Sequence, residues 1–507
     1  MAIQLTRPRG RATRASATPA PPALEPVAAF AQRVAEAVER FRSEPVTPQR
    51  FLDLENTLQA VAADACRAIL EDEANQAEVD DRHAVPAKVR YHRETYRINK
   101  KTPARIATRF GTIILRSFYY LNECDGEPGL HPLRLRLGIG AGAATPALLE
   151  RVARMAVDHT QTEVRAWLAR EHGLRWSNTR LRAALAGFRQ ALTPFRADLQ
   201  RQQLLRWLAQ AEASRGRHRP VLAVGRDGIM IPMRDGGYQE ASTATVSVYD
   251  RRRRRLGTVY LGQMPQAKQV TLTRELTALL RAVLAAWPGP LPRLAYITDK
   301  GSAPDDYYRR VLKKLKHPRD GRPLAWEWVL DFYHVCSYLG KMADALFGAG
   351  TAGAASWFAK MRRWLRERPH GVAQVLRSAT QRLDRRRMTK AQRAEYWKAY
   401  RYLRRHRRLL NYHGCRRRGL PIGSGVTEAA CKTVFTQRFK RSGMRWQGAS
   451  GQVILDLRVI YLSGIWDAAC AADLAGRTLA QAYGAIDAGV KNRSHQVSRR
   501  VSHKIAT

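Results

Sequence analysis

The chain has 507 residues, 45% of them apolar, enough for about two to four cored domains rather than one. Lys and Arg number 88 against 43 Asp and Glu, a formal net charge of +45. An excess of that size points to a polyanionic partner, nucleic acid first, and makes an enzyme of small acidic substrates a poor reading. No apolar run approaches the ~18 residues of a membrane span. The six cysteines include no Cys-x-x-Cys pair, which argues against a disulfide framework or a Cys-rich zinc module and for a reducing cytosol.

Residues 1–24 are rich in Arg and Pro, contain no acid and have no apolar leader core, so they read as a basic disordered arm. Residues 25–140 are expected to form an N-terminal helical region with a β-hairpin. Phe30, Val34, Val38 and Phe41, then Phe51, Leu54, Leu58 and Val61, recur at helical spacing, and RIATRFGTIILRSFYYL alternates around a Gly turn. Residues 141–215 hold further helices: ATPALLERVARMAV, TQTEVRAWLAREHGL with Gly173 near its C-cap, and TRLRAALAGFRQAL opened by Ser177 or Asn178. Two short helices about a Gly-containing turn, the second bearing Arg180 and Arg182, match a DNA-binding helix-turn-helix. A plain helical bundle fits the same pattern.

Between 219 and 340 the order is three strands, a helix, a strand, a helix and a strand. PVLAVGRDG, LAYITD and WEWVLD are apolar runs ending in acids, and VTLTRELTALLRAVLAAW carries one apolar stripe. Three strands followed by two αβ units is the order of an RNase H-like sheet. Residues 341–420 read as an all-α insertion with interleaved basic blocks, and 421–485 as C-terminal helices returning to the core. Residues 486–507 read as a basic tail. The fold class expected is therefore multidomain and mixed: an RNase H-like α/β core interrupted by a helical insertion, after a mainly helical N-terminal region.

That order gives particular acids a meaning. Asp227 and Asp299 end runs that neighbour each other in such a sheet, and Glu428 opens a helix after Gly-Ser-Gly. Three converging carboxylates favour two hard divalent cations, Mg²⁺ or Mn²⁺, able to activate a water or 3′-hydroxyl and stabilise a leaving oxygen. Singly, each acid is equally a turn or helix-cap residue.

The stretches GRDGI (225–229), ITDKG (297–301), VLDFYHVCSYL (329–339), GLPIGSGVTEAACKTVFTQRFKRSGMRW (419–446) and LDLRVIYLSGIWD (455–467) resemble bacterial DDE transposases of the ISKra insertion-sequence family, distantly similar to Mutator-like transposases. The resemblance spans roughly 219–470. It implies a catalytic triad of Asp227, Asp299 and Glu428, a helical insertion domain, and metal-dependent cleavage at transposon ends followed by strand transfer. Asp331 and His334 match a D-x-x-H element shared with the Mutator-like group. They imply an accessory acid and a histidine that orients phosphate or protonates a leaving oxygen, although an aromatic-rich helix start alone would account for both. The chain departs from the pattern at Lys300, where a small residue is usual, and at Cys124, which stands without a zinc partner.

The block Gln437, Arg438, Lys440, Arg441, Arg445 and Trp446 after Glu428 is expected to contact DNA, with Arg180 and Arg182 as further contacts and the Arg251–Arg255 run touching backbone. The expected partner is double-stranded DNA, both transposon ends and target, bound by a homodimer or higher oligomer in the nucleoid-associated cytoplasm, with no membrane contact. Two alternatives remain: an RNase H-like endonuclease without strand transfer, and a domesticated DNA-binding protein without catalysis.

Overall fold

The computed structural model describes residues 25–480 apart from 92–93, 125, 141, 300 and 385–387. The expected basic arm and basic tail, Lys300 and the Arg385–Arg387 block lie outside the described residues.

Two paired helices, α1 (Glu25–Arg42) and α2 (Pro48–Gln76), open the structure, as the apolar spacing predicts. Thr47 caps α2 by accepting from Arg50 N at 3.3 Å, and Pro48 fits the first turn because its missing N–H has no intrahelical partner there. The hairpin is present as β2 (Glu94–Thr108) and β3 (Gly111–Asn122), turned at Gly111 with φ +110°. A short preceding strand, β1 (Lys88–Tyr91), completes a three-stranded sheet, with α3 (Pro132–Arg136) following. Asn75 of α2 fastens helix to sheet through Ile114 O and Arg116 N.

The next helices are α4 (Pro146–Asp158), α5 (Gln161–His172) and α6 (Asn178–Ala213). A reciprocal capping box, Thr160 with Glu163, starts α5, Gly173 ends it at φ 63°, and Ser177 caps α6 by accepting from Arg180 N. The helix starts match expectation, but α6 runs 36 residues, through Pro194 and well past residue 192. Its first half packs with α4 against the C-terminal helices; its second half lays Leu204, Leu208 and Ala211 on the large sheet. The helix-turn-helix-like unit thus has no core of its own.

The large sheet contains β4 (Val221–Pro232), β5 (Tyr238–Tyr249), β6 (Arg255–Gln263), β7 (Arg293–Thr298) and β8 (Trp326–Leu330), in the order β6-β5-β4-β7-β8. β4, β7 and β8 are mutually parallel, while β5 and β6 are antiparallel additions. Both faces are covered, so the central strands are apolar on both sides. Leu222, Val224 and Tyr296 face α6, α7 (Val270–Ala286) and α8 (Ser302–Arg310). Val221, Ala223 and Ile297 face the helical stretch α9 (Phe332–Phe347), α10 (Ala352–Glu367), α11 (Gly371–Gln381), α12 (Lys390–His406) and α13 (Tyr412–Arg417).

The chain ends in α14 (Gly425–Ala430), a π-helical turn (Cys431–Thr436), α15 (Gln437–Phe439), α16 (Gly448–Leu462) and α17 (Trp466–Ala480). Glu428 lies in a helix after Gly-Ser-Gly, as expected, and the π turn widens that helix from Cys431, three residues further on. The protein is a mixed α/β, multi-core molecule, and no described helix is long and apolar enough to cross a membrane.

Candidate active site

Strand register levels the acids. Gly225 pairs with Ile297 across β4 and β7, and Thr298 pairs with Leu330 across β7 and β8. Carried forward, the same offsets put Asp227, Asp299 and Asp331 on one tier at the C-terminal edge of three neighbouring strands. Asp227 is not the end of its strand. β4 continues to Pro232, paired only with β5 and with Asp227 opposite Thr243, because β7 stops at Thr298. Asp227 therefore stands where β4 loses one neighbour, half-buried like Asp299.

Glu428 reaches this edge from 129 positions further along the chain than Asp299, so its placement depends on how α14 is seated. Thr427, beside it and buried, hydrogen-bonds Thr245 Oγ1 of β5 at 2.8 Å. Gly225 of β4 leaves the space this contact needs, since a Cβ there would collide with Thr427 Oγ1. Glu428 itself is exposed, with Oε1 accepting from Ser424 Oγ at 3.0 Å.

Ser424 leads back to Asp331. That carboxylate is fully buried; Oδ1 accepts from His334 N at 2.5 Å, capping α9, and Oδ2 accepts from Ser424 N. Asp331 thus ties the start of α9 to the Gly-Ser-Gly loop that precedes Glu428. The His334 ring lies edge-on to Tyr338 at 5.5 Å and near Tyr402, and those two tyrosines stack at 3.9 Å. Packing alone accounts for its position.

Burial pushes the Asp227 carboxyl up to about 6, and the charges of Asp299 and Glu428 push the same way. Two donors pull against them: Cys431 Sγ, 3.2 Å from Asp227 Oδ2, and Gly228 N, 2.8 Å from Oδ1. The Cys431 thiol is itself pushed up by burial and by all three acids. Four groups from three segments therefore share one electrostatic field. Sequence reading missed Cys431, although its place three residues after Glu428 puts both on one side of a helix. Among the described residues no three His, Cys, Asp or Glu side chains are gathered closely enough to hold one ion. In donor type and mutual repulsion, Asp227, Asp299 and Glu428 suit hard divalent cations.

The seat of α14 makes a prediction. Gly225→Ala is expected to lift α14, lowering stability by about 1–3 kcal/mol from overpacking and any activity requiring Glu428 by about tenfold. Adding Thr427→Gly should restore much of the activity. Thermal melts and activity of the single and double variants check this; strictly additive losses would break the assignment.

The expected DNA contacts divide by burial. Arg438 is 2% exposed, its Nε donating to Ala156 O at 3.1 Å and its guanidinium lying over the Trp446 ring; burial, with Arg441 and Arg458 nearby, holds it down at about 10. Trp446 packs on Phe439 at 4.5 Å, donates from Nε1 to Phe439 O, and bridges to β4. Arg180 donates to Gly142 O and Ala143 O and covers Trp176. In all three the polar groups named are already engaged within the fold, because loop and helix-end carbonyls need donors. Arg182, Lys440, Arg441 and Arg445 are exposed, Arg441 pairing with Glu163 at 3.3 Å. In the Arg251–Arg255 run, Arg251 binds Glu212, Arg252 donates to Arg215 O and Arg254 pairs with Asp250.

No protein-family model matches the chain, and no curated protein matches it.

Proposed function

We propose that this protein is a DDE-type DNA transposase with an RNase H-like core, cleaving at transposon ends and joining the freed 3′-hydroxyl to target DNA. The observation carrying this reading is that strand register levels Asp227 with Asp299, while Glu428, on the helix seated by the Thr427–Thr245 contact, is near enough for its charge to raise the Asp227 carboxyl. The strand order, with β4 central and parallel neighbours on one side only, supports the RNase H-like assignment. So do the helical stretch between β8 and α14 and the sequence resemblance over 219–470.

Asp227, Asp299 and Glu428 would hold two Mg²⁺ or Mn²⁺ ions, which when bound supply Lewis-acid activation of the attacking and leaving oxygens. Asp331 and Ser424 position Glu428. Exposed cations hold the phosphate backbone: Arg182, Lys440, Arg441 and Arg445, and Arg401, Arg404, Arg405, Arg407 and Arg408 at the end of α12. Residues 25–81, by contrast, carry thirteen acids and five arginines, so DNA is expected to approach elsewhere. Synapsis of two ends implies a dimer or larger assembly on DNA in the nucleoid-associated cytoplasm.

Purified protein, duplexes from the DNA flanking its gene, and Mg²⁺ or Mn²⁺ make the test. Joined products of end and target duplex are expected. Nicking without joining would select the endonuclease reading. DNA binding with neither cleavage nor cation binding would select the non-catalytic one.

A further inference from the structure

A cleft of about 280 Å³ opens between the α4–α5 junction and the segment following α15. Arg182 of α6, Arg234 beyond β4, and Arg445 line it, with Arg438 at its buried end; no carboxylate lines it. Its two walls are fastened together. Arg438 donates to Ala156 O at the end of α4, buried Arg458 donates to Val157 O, and Arg234 N donates to Trp446 O. The arginines are thus held near one another although they come from distant parts of the sequence, and their repulsion is unrelieved by any acid in the lining. Arg182, Arg234 and Arg445 are exposed, so their guanidinium groups need no refolding to meet a ligand.

We infer that this cleft is a phosphate-binding site for the backbone of duplex DNA, bridging the helix-turn-helix-like unit and the segment that follows Glu428. Guanidinium groups suit phosphate through paired N–H donors, and a preformed group of three exposed arginines saves the entropy of gathering them. Gln161, Gln447 and Ser450 add neutral donors at the rim. As a set of phosphate contacts the site positions DNA rather than specifying sequence. It rests on the proposal that the partner is DNA, but not on catalysis.

The test measures duplex affinity by fluorescence anisotropy across a salt series in EDTA, for wild type and Arg234→Ala/Arg445→Ala. Loss of two phosphate contacts is expected to flatten the log–log salt slope by about 1.8 and weaken binding at 0.15 M salt roughly thirtyfold, uniformly across sequences. Thermal melts confirm that these exposed changes leave the fold intact. An unchanged slope overturns the inference, whatever strand transfer does. A slope change in protein that never joins DNA sinks the transposase reading alone. Inorganic phosphate serves as a second probe: if calorimetry shows it binding wild type but not the variant while duplex binding is equal in both, the site takes small anions and not DNA.

Discussion

Asp227→Asn is expected to lower the proposed strand transfer by about a thousandfold or more, equivalent to about 4 kcal/mol of barrier, while making the metal-free protein more stable. The loss follows from removing a charged oxygen donor from the carboxylate set. The gain follows from electrostatics. In the folded protein Asp227 titrates near 6 rather than at its ordinary 3.8, because burial and two neighbouring carboxylates disfavour its charge. A carboxyl with a raised folded pKa holds its proton more tightly when folded, so stability falls as pH rises from about 4 to about 6, and the full penalty persists above that. At about 1.4 kcal/mol per tenfold in proton affinity, the penalty is up to about 3 kcal/mol. Asparagine removes it. Melts of metal-free wild type and variant from pH 4 to 8 should therefore diverge as pH rises, and added Mn²⁺ should stabilise wild type more than the variant. Parallel melting curves across that range would show that the acids do not share one field.

The second large effect concerns the union of the helix-turn-helix-like unit with the core. Asp456 of α16 is almost fully buried and accepts from Arg189 at 2.6 Å and Arg196 at 3.0 Å, both on α6, as well as from Gln452. Asp456→Ala leaves two guanidinium groups short of an acceptor, and breaking such a pair from one side is costly. Arg196 retains Glu275 at 2.7 Å, which softens the loss. A destabilisation of about 3 kcal/mol is expected, measurable by urea unfolding. Because α6 spans both cores, the variant should melt in one transition. A separate early transition confined to residues 141–215 would restore the independent domain that the sequence suggested.

Much of this was legible in the chain itself. Apolar runs ending in acids located the β4 and β7 segments that carry Asp227 and Asp299, and β7 does stop just before Asp299, but the run ending at Asp227 did not show that β4 continues to Pro232. The stripe from Leu272 to Val283 is buried as its spacing requires. Caps at Ser177 and Gly173 fell where local hydrogen bonding dictates, because a helix end is satisfied by the few residues next to it.

Tertiary structure decided what depends on partners far away in sequence. Composition cannot distinguish an arginine aimed at DNA from one aimed at a carbonyl: Arg438 and Arg180 are held by backbone oxygens 282 and 38 residues away, while Arg445 is left in solvent. Periodicity ended α6 near residue 192, whereas apolar contacts on two cores carried it through Pro194. The resemblance implied that Asp331 is an accessory acid, and only folding turned both its oxygens toward N–H groups of His334 and Ser424. The chain fixes which groups carry charge or apolar surface; the fold decides which charges meet an internal partner, because desolvation makes an unpaired buried group too costly to keep.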